Sequence, residues 1–203
     1  LFPYTTLFRS ERFLVGLIRR GYGCGLIDPH GDLAADVLRK IPRHRRNDLV
    51  YFNATDPSEC PGLNPLRAVE PGARPLVVSN ILATVKKLWG PEFWGPRTEH
   101  VLRHTLLALM DVRGATLADA RLMLLDERKR ASVLKQVKDE AVLAFWTMEF
   151  PGYGRQLTSE VTAPILNKLG ALLASGPIRS IVTKAKPRLD ARRLLDRGAI
   201  VIA

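Results

Sequence analysis

Between Pro75 and Ala174, successive segments carry apolar residues at three- and four-residue steps: Pro75 to Trp89, Pro96 to Val112, Thr116 to Leu125, Arg128 to Val137, Glu140 to Phe150 and Thr158 to Ala174. No run of β-formers interrupts this span, so it predicts a body of helices sharing one core. The β-rich runs fall outside it. Cys24-Gly-Leu-Ile-Asp28 follows a helical pattern over Arg12 to Arg20 that Gly21 and Gly23 stop, and it precedes a second helical pattern over Leu33 to Lys40. Leu49-Val-Tyr-Phe52 is the second strand candidate, with a Pro-rich loop after it through Pro65. A short helix over Leu189 to Asp196 leads into the third, Gly198-Ala-Ile-Val-Ile-Ala203. Alternating strands and helices imply an α/β fold in which a parallel sheet is interrupted by a large all-α insertion. With 203 residues, 46% of them hydrophobic, there is enough chain for one core plus a smaller subdomain.

The charge balance narrows the partners. Thirty-one Lys and Arg against 20 Asp and Glu give a formal charge of +11, which favours a polyanion such as nucleic acid or an acidic membrane surface. Basic residues gather over Arg39 to Arg46 and again at Lys184, Lys186, Arg188, Arg192, Arg193 and Arg197. Clusters of this kind make sequence-independent phosphate contacts, and the second is the candidate DNA-binding stretch. Only Cys24 and Cys60 occur, without a C-x-x-C pair, which disfavours a disulfide scaffold or a zinc ribbon. No apolar run reaches the roughly 18 residues of a membrane-spanning helix.

Asp28-Pro-His30-Gly-Asp32 concentrates the chemistry, because open α/β sheets place ligands at the carboxyl ends of their strands. Two carboxylates and an imidazole in five residues suit a hydrated magnesium ion or a bound water. The residues alone leave two readings open: Asp32 as the N-cap of the helix that begins at Leu33, and Asp28 as a ligand-facing acid. Four further features have structural readings beside functional ones. Leu122-Met-Leu-Leu-Asp126-Glu127 has the outline of a metal-site strand but lies in a helical pattern without β-branched residues, which makes it helix with Asp126 opening the next one. His100 and His104 share a helix face without a third ligand, which suggests a solvated or DNA-facing helix. Trp89, Phe93 and Trp94 read as core or interface packing ahead of base stacking. Arg97 and Arg155 are candidates for a basic residue acting across a subunit boundary, with capping or surface roles as the alternative.

The stretch from Phe13 through Leu33, together with Leu49-Val-Tyr-Phe52, Gly62-Leu-Asn-Pro-Leu66, Trp94-Gly-Pro-Arg97 and Ala163-Pro-Ile-Leu-Asn-Lys168, resembles the TraG/TraD-like type IV secretion coupling proteins of the HerA/FtsK P-loop ATPase superfamily. The resemblance covers nearly everything after Glu11. It implies a partial RecA-like sheet over residues 11–66, an all-α insertion over 67–186 and a return to the core over 187–203. It also implies a DNA-translocating motor for conjugation or secretion. Such a motor is a homohexamer at the cytoplasmic face of the inner membrane, with ATP and magnesium between subunits and relaxase or secretion-channel proteins as further partners. Asp28, His30 and Asp32 would then lie near the nucleotide.

The family's phosphate loop, G-x-x-x-x-G-K-[ST], has no counterpart, since no Gly-Lys pair occurs in the chain. By the family's order that loop would precede Glu11, and the second acidic motif would follow the strand at Ile200. Leu1 to Ser10, LFPYTTLFRS, resemble the translation of a widely used sequencing-adapter oligonucleotide. The expectation is therefore a fragment whose authentic sequence begins near Glu11 and which neither binds nor turns over ATP by itself. Two rivals stand beside it: a metallophosphoesterase-like hydrolase with Asp28, His30 and Asp32 as metal ligands, and a non-enzymatic helical module that binds DNA or a relaxase.

Overall fold

Three strands of three residues each form one parallel sheet in the order β1-β3-β2, where β1 is Cys24–Leu26, β2 is Leu49–Tyr51 and β3 is Ile200–Ile202. The computed structural model describes residues 4–53, 56, 62–66, 70–90, 94–184 and 191–203. The last strand in sequence takes the centre because Ile200 and Ile202 are β-branched, apolar and wholly buried, which suits a position paired on both edges. Ile200 pairs with Cys24 and Leu49, and Ile202 with Leu26 and Tyr51. Helices α1 (Tyr4–Arg19) and α2 (Asp32–Arg39) cover the sheet, with Ile18, Ala34, Val37 and Ile41 packed together with Ile200 and Ile202. Helix α1 runs through Glu11 without a break, so the helix expected over Arg12 to Arg20 is the second half of a longer one.

Two devices hold the sheet's entry points together. A Cβ placed on Gly23 would lie 2.6 Å from the carbonyl carbon of Gly198, so the chains leading into β1 and β3 approach too closely for a side chain. Arg45, buried on a 3-10 turn at Arg43–Asp48, is the second. Its guanidinium donates to the carbonyls of Ile18 (2.9 Å), Tyr22 (3.3 Å) and Gly198 (3.0 Å) and pairs with Asp48 (2.7 Å). Within the basic run Arg39 to Arg46, several charges are thus taken up by local partners, while Arg43 and Arg46 stay exposed. Arg45 points inward, Arg39 pairs with Asp36 and Lys40 with Glu11.

All but one of the remaining helices form a separate unit over residues 62–187, while the sheet unit comprises residues 1–61 and 188–203. The helical unit holds α3 (Arg74–Trp89), α4 (Pro96–Met110), α5 (Leu117–Leu125), α6 (Glu127–Leu134), α7 (Glu140–Ala144), α8 (Gly154–Ala174) and α9 (Gly176–Val182). Its core runs along α4, α5 and α8 through Val101, Leu106, Leu109, Met123 and Ile165. Residues 62–66 belong here and not to the sheet unit: the buried Asn64 amide donates to the Ala115 carbonyl at 2.7 Å, its oxygen accepts from Leu66 at 2.9 Å, and Leu66 joins the helical core. A last helix, α10 (Ala191–Asp196), precedes β3 in the sheet unit.

Helix ends follow local chemistry. Asp126 accepts from the amides of Arg128 and Lys129, so Leu122 to Leu125 close α5 and Asp126 caps α6. Thr116 and Asp119 form a reciprocal capping box at the start of α5. After α7 the chain widens into a π-helical turn, Phe145–Glu149, then tightens into a 3-10 turn, Phe150–Tyr153. Among the described residues no helix is long and apolar enough to cross a membrane.

Candidate functional site at the carboxyl edge of the sheet

Backbone pairing continues one residue past β2 and β3 and two past β1. The Asp28 amide donates to the Ala203 carbonyl (2.7 Å), Ala203 to Leu26 (2.8 Å) and Phe52 to Ile202 (2.7 Å). Above this edge lies a cleft of about 500 Å³, lined by the turn 27–31 and Ala34 on one side and by Tyr51, Phe52, Asn53 and Ala203 on the other. The position is the one that parallel α/β sheets give to ligands.

Asp28 is the organising residue. Its carboxylate accepts from the backbone amides of Ala34 (2.9 Å) and His30 (3.2 Å), and its carbonyl accepts from Gly31 (3.2 Å). Partial burial works to raise this carboxyl, but the amides of Ala34, His30, Gly31 and Leu33 outweigh it and hold the group below the usual carboxylate range. Asp28 is thus an ionised acceptor seated on the first turn of α2, where the helix presents unpaired amides.

That geometry corrects the capping expected of Asp32. The N-cap position is Gly31, with φ of 84° and no side chain to give, and Asp32 is the first helical residue. Asp28, reaching from the strand end, takes the Ala34 amide that an N-cap side chain would have taken. Asp32 and His30 stand exposed beside it. Among the described residues no group of three or more His, Cys, Asp or Glu is placed to hold a metal ion, so Asp28, His30 and Asp32 do not converge as a ligand set.

The second wall has no counterpart in the sequence reading, which took Leu49 to Phe52 only as a strand. Tyr51 and Phe52 flank the cleft, and Ile27, 84% exposed, sits on its rim. The signal was present: applying the carboxyl-end rule to the second strand, as to the first, picks out Tyr51, Phe52 and Asn53.

The candidate DNA-binding residues divide. Lys184 belongs to the helical unit, where its aliphatic stem lies against Gly62, and Arg193 is an exposed residue of α10 in the sheet unit. Lys186 and Arg188 lie outside the described residues, as does the side chain of Arg192. Arg97 and Arg155 are both exposed, in the first turns of α4 and α8, and Arg155 borders a groove with Arg130, Trp146 and Phe150.

His100 and His104 belong to an aromatic cluster at a face still open to solvent, where the His100 side chain is 42% exposed and His104 is half-buried. The His104 ring stacks on Phe145 with centroids 4.1 Å apart, His100 meets both rings edge-on, and His100 Nε2 lies 3.2 Å from Glu149 Oε1. Burial against Phe145 lowers the His104 pKa, which keeps the ring neutral. Glu149 also accepts from the Tyr153 hydroxyl at 2.6 Å, and burial together with this carboxylate pushes that hydroxyl up to about 12. Trp94 is buried in the helical core with Lys168 Nζ 4.8 Å from its ring centre, and Trp89 packs against the same core; Phe93 lies outside the described residues.

No protein family, curated protein or solved structure matches the chain.

Proposed function

We propose that this chain is part of an ATP-driven, DNA-translocating motor of the coupling-protein kind, contributing one wall of a nucleotide site and an inserted helical unit. The observation that carries the reading is the sheet itself. Segments separated by about 150 residues of sequence assemble as parallel neighbours in the order β1-β3-β2, and the Asp28 turn stands at their carboxyl edge over a cleft. An independent helical module has no need of strands on either side of it, in register and parallel. A metallophosphoesterase site needs converging ligands, and Asp28 already spends its oxygens on the His30 amide of the turn and the Ala34 amide of α2.

In this reading Asp28 fixes the turn beside the nucleotide and keeps α2 in place, while Asp32 and His30 are the exposed groups near magnesium and the phosphates. The reading also requires a G-x-x-x-x-G-K-[ST] phosphate loop, and residues 11–203 contain no Gly-Lys pair. Chemistry in such a site is positioning plus electrostatic stabilisation of phosphoryl transfer. Assembly as a homohexamer on DNA at the cytoplasmic face of the inner membrane, with relaxase or channel proteins as partners, belongs to the same proposal.

The test is hydrolysis of Mg-ATP by the chain extended through its genomic upstream and downstream codons, with and without single-stranded DNA. DNA-stimulated turnover by the extended chain, and none by residues 11–203 alone, is the expected outcome. Turnover that purifies with residues 11–203 alone would overturn it.

A further inference from the structure

The outer face of α1 carries charge and rings that nothing among the described residues of the sheet unit answers. At 100° per residue, Arg12, Phe13, Gly16, Arg19 and Arg20 fall within an arc of about 120°, while Glu11, Val15 and Ile18 on the other side of the helix are buried. Phe13 is 66% exposed, and Tyr22, just past the helix end, is 60% exposed. Arg12, Arg19 and Arg20 are exposed, and none has a side-chain hydrogen bond or ion pair among the described residues. Arg46 adds a fourth such arginine on the turn that Arg45 ties to the Ile18 and Tyr22 carbonyls. The acids Glu11, Asp36 and Asp48 are each committed to another partner: Lys40, Arg39 and Arg45.

Arginines at a helix end ordinarily serve its last carbonyls. Here three of those carbonyls are already occupied: Gly16 accepts from Arg20, Leu17 from Arg20 and Tyr22, and Ile18 from Gly21 and Arg45. The guanidiniums are left for something outside the described chain. Planar guanidinium forks match phosphate oxygens in pairs, and exposed rings set among them offer stacking surfaces for bases. A lipid surface fits less well, because membrane-lying helices present a continuous apolar face, and the apolar face of α1 is spent on the sheet.

We propose that the outer face of α1 and the adjoining turn bind single-stranded nucleic acid, with Arg12, Arg19, Arg20 and Arg46 on phosphates and Phe13 and Tyr22 under bases. This surface is separate from the carboxyl-edge cleft and does not depend on the motor reading.

Fluorescence anisotropy of labelled dT20 with the full chain, at a series of salt concentrations, tests it. Replacing Arg12, Arg19 and Arg20 together by Gln should reduce the slope of log K against log salt by about 2, at roughly 0.7 for each phosphate no longer neutralised. Phe13→Ala should weaken dT20 binding about 5- to 150-fold, the range for loss of one stacked base. Phe13→Leu, which keeps the apolar bulk and removes the ring, should weaken it as well, with an unchanged far-ultraviolet circular dichroism spectrum for each variant. A charge-matched control, Arg121→Gln with Arg128→Gln and Lys135→Gln in the helical unit, should stay within about twofold of the parent. The proposal is overturned if the control loses as much as the α1 variant, or if both Phe13 variants bind like the parent. It also fails if vesicles of phosphatidylglycerol and phosphatidylcholine retain the chain while dT20 does not.

Discussion

Arg45→Met removes the guanidinium that ties α1 to the lead-in of β3 while keeping an apolar stem of similar reach. Of the three carbonyls it serves, Ile18 keeps a second donor in the Gly21 amide at 3.1 Å, whereas those of Tyr22 and Gly198 lose the only donor seen among the described residues. Asp48 is 46% exposed and rehydrates, so its loss of a partner adds little. Two under-satisfied carbonyls at about 1–2 kcal/mol each, partly offset by no longer burying a cation, leave a net cost of about 2–3 kcal/mol. Hydrogen exchange of the Ile200 to Ile202 amides reads this directly, since β3 is the sheet's central strand. The expected result is exchange faster by about 30- to 150-fold, at 1.4 kcal/mol per factor of ten. Arg45→Lys should fall between, because an ammonium cannot reproduce the fork. An acceleration under about fivefold would refute the assignment of Arg45 as the clamp.

Three further outcomes follow from the same geometry. Asp28→Ala should cost the sheet unit about 1 kcal/mol, the usual value of a helix cap. Because the folded pKa of Asp28 is lowered, its contribution is complete above the unfolded carboxylate value near 3.9 and is lost as pH falls through the folded value, which urea midpoints at pH 2 to 6 should show. His104 has the same sign for a different reason: its folded pKa is lowered by burial, so the helical unit is most stable above about pH 6.5 and weakens as pH falls toward the folded value, and His104→Gln should flatten that slope in tryptophan-monitored unfolding. Gly23→Ala should lower the melting temperature of the sheet unit by several degrees, since its Cβ would meet Gly198 backbone at 2.6 Å and only a backbone shift relieves it.

What could be read beforehand was whatever depends on neighbouring residues. Ile200-Val-Ile202 and Leu49-Val-Tyr51 declare strands because β-branched and aromatic side chains crowd into three positions. The helix from Leu117 to Leu125 declares itself through its spacing and its Thr116 cap. The misreadings share one cause, a partner distant in sequence. Asp32 looked like the cap because local rules search the residue before the helix, whereas Asp28 reaches the Ala34 amide from six residues away. Arg45 looked like one more cation in a basic run until Gly198, 153 residues on, supplied a carbonyl. The central place of β3 was hidden for the same reason, since strand order is decided by which apolar face the fold buries most deeply.

The motor reading meets its most direct test in the genomic DNA upstream of the Glu11 codon. It expects G-x-x-x-x-G-K-[ST] within about one βα unit, roughly 30 residues, before Glu11, and no codons for LFPYTTLFRS at that junction. Intact genomic DNA that encodes LFPYTTLFRS continuously with Glu11, with no such loop ahead of it, would contradict the assignment.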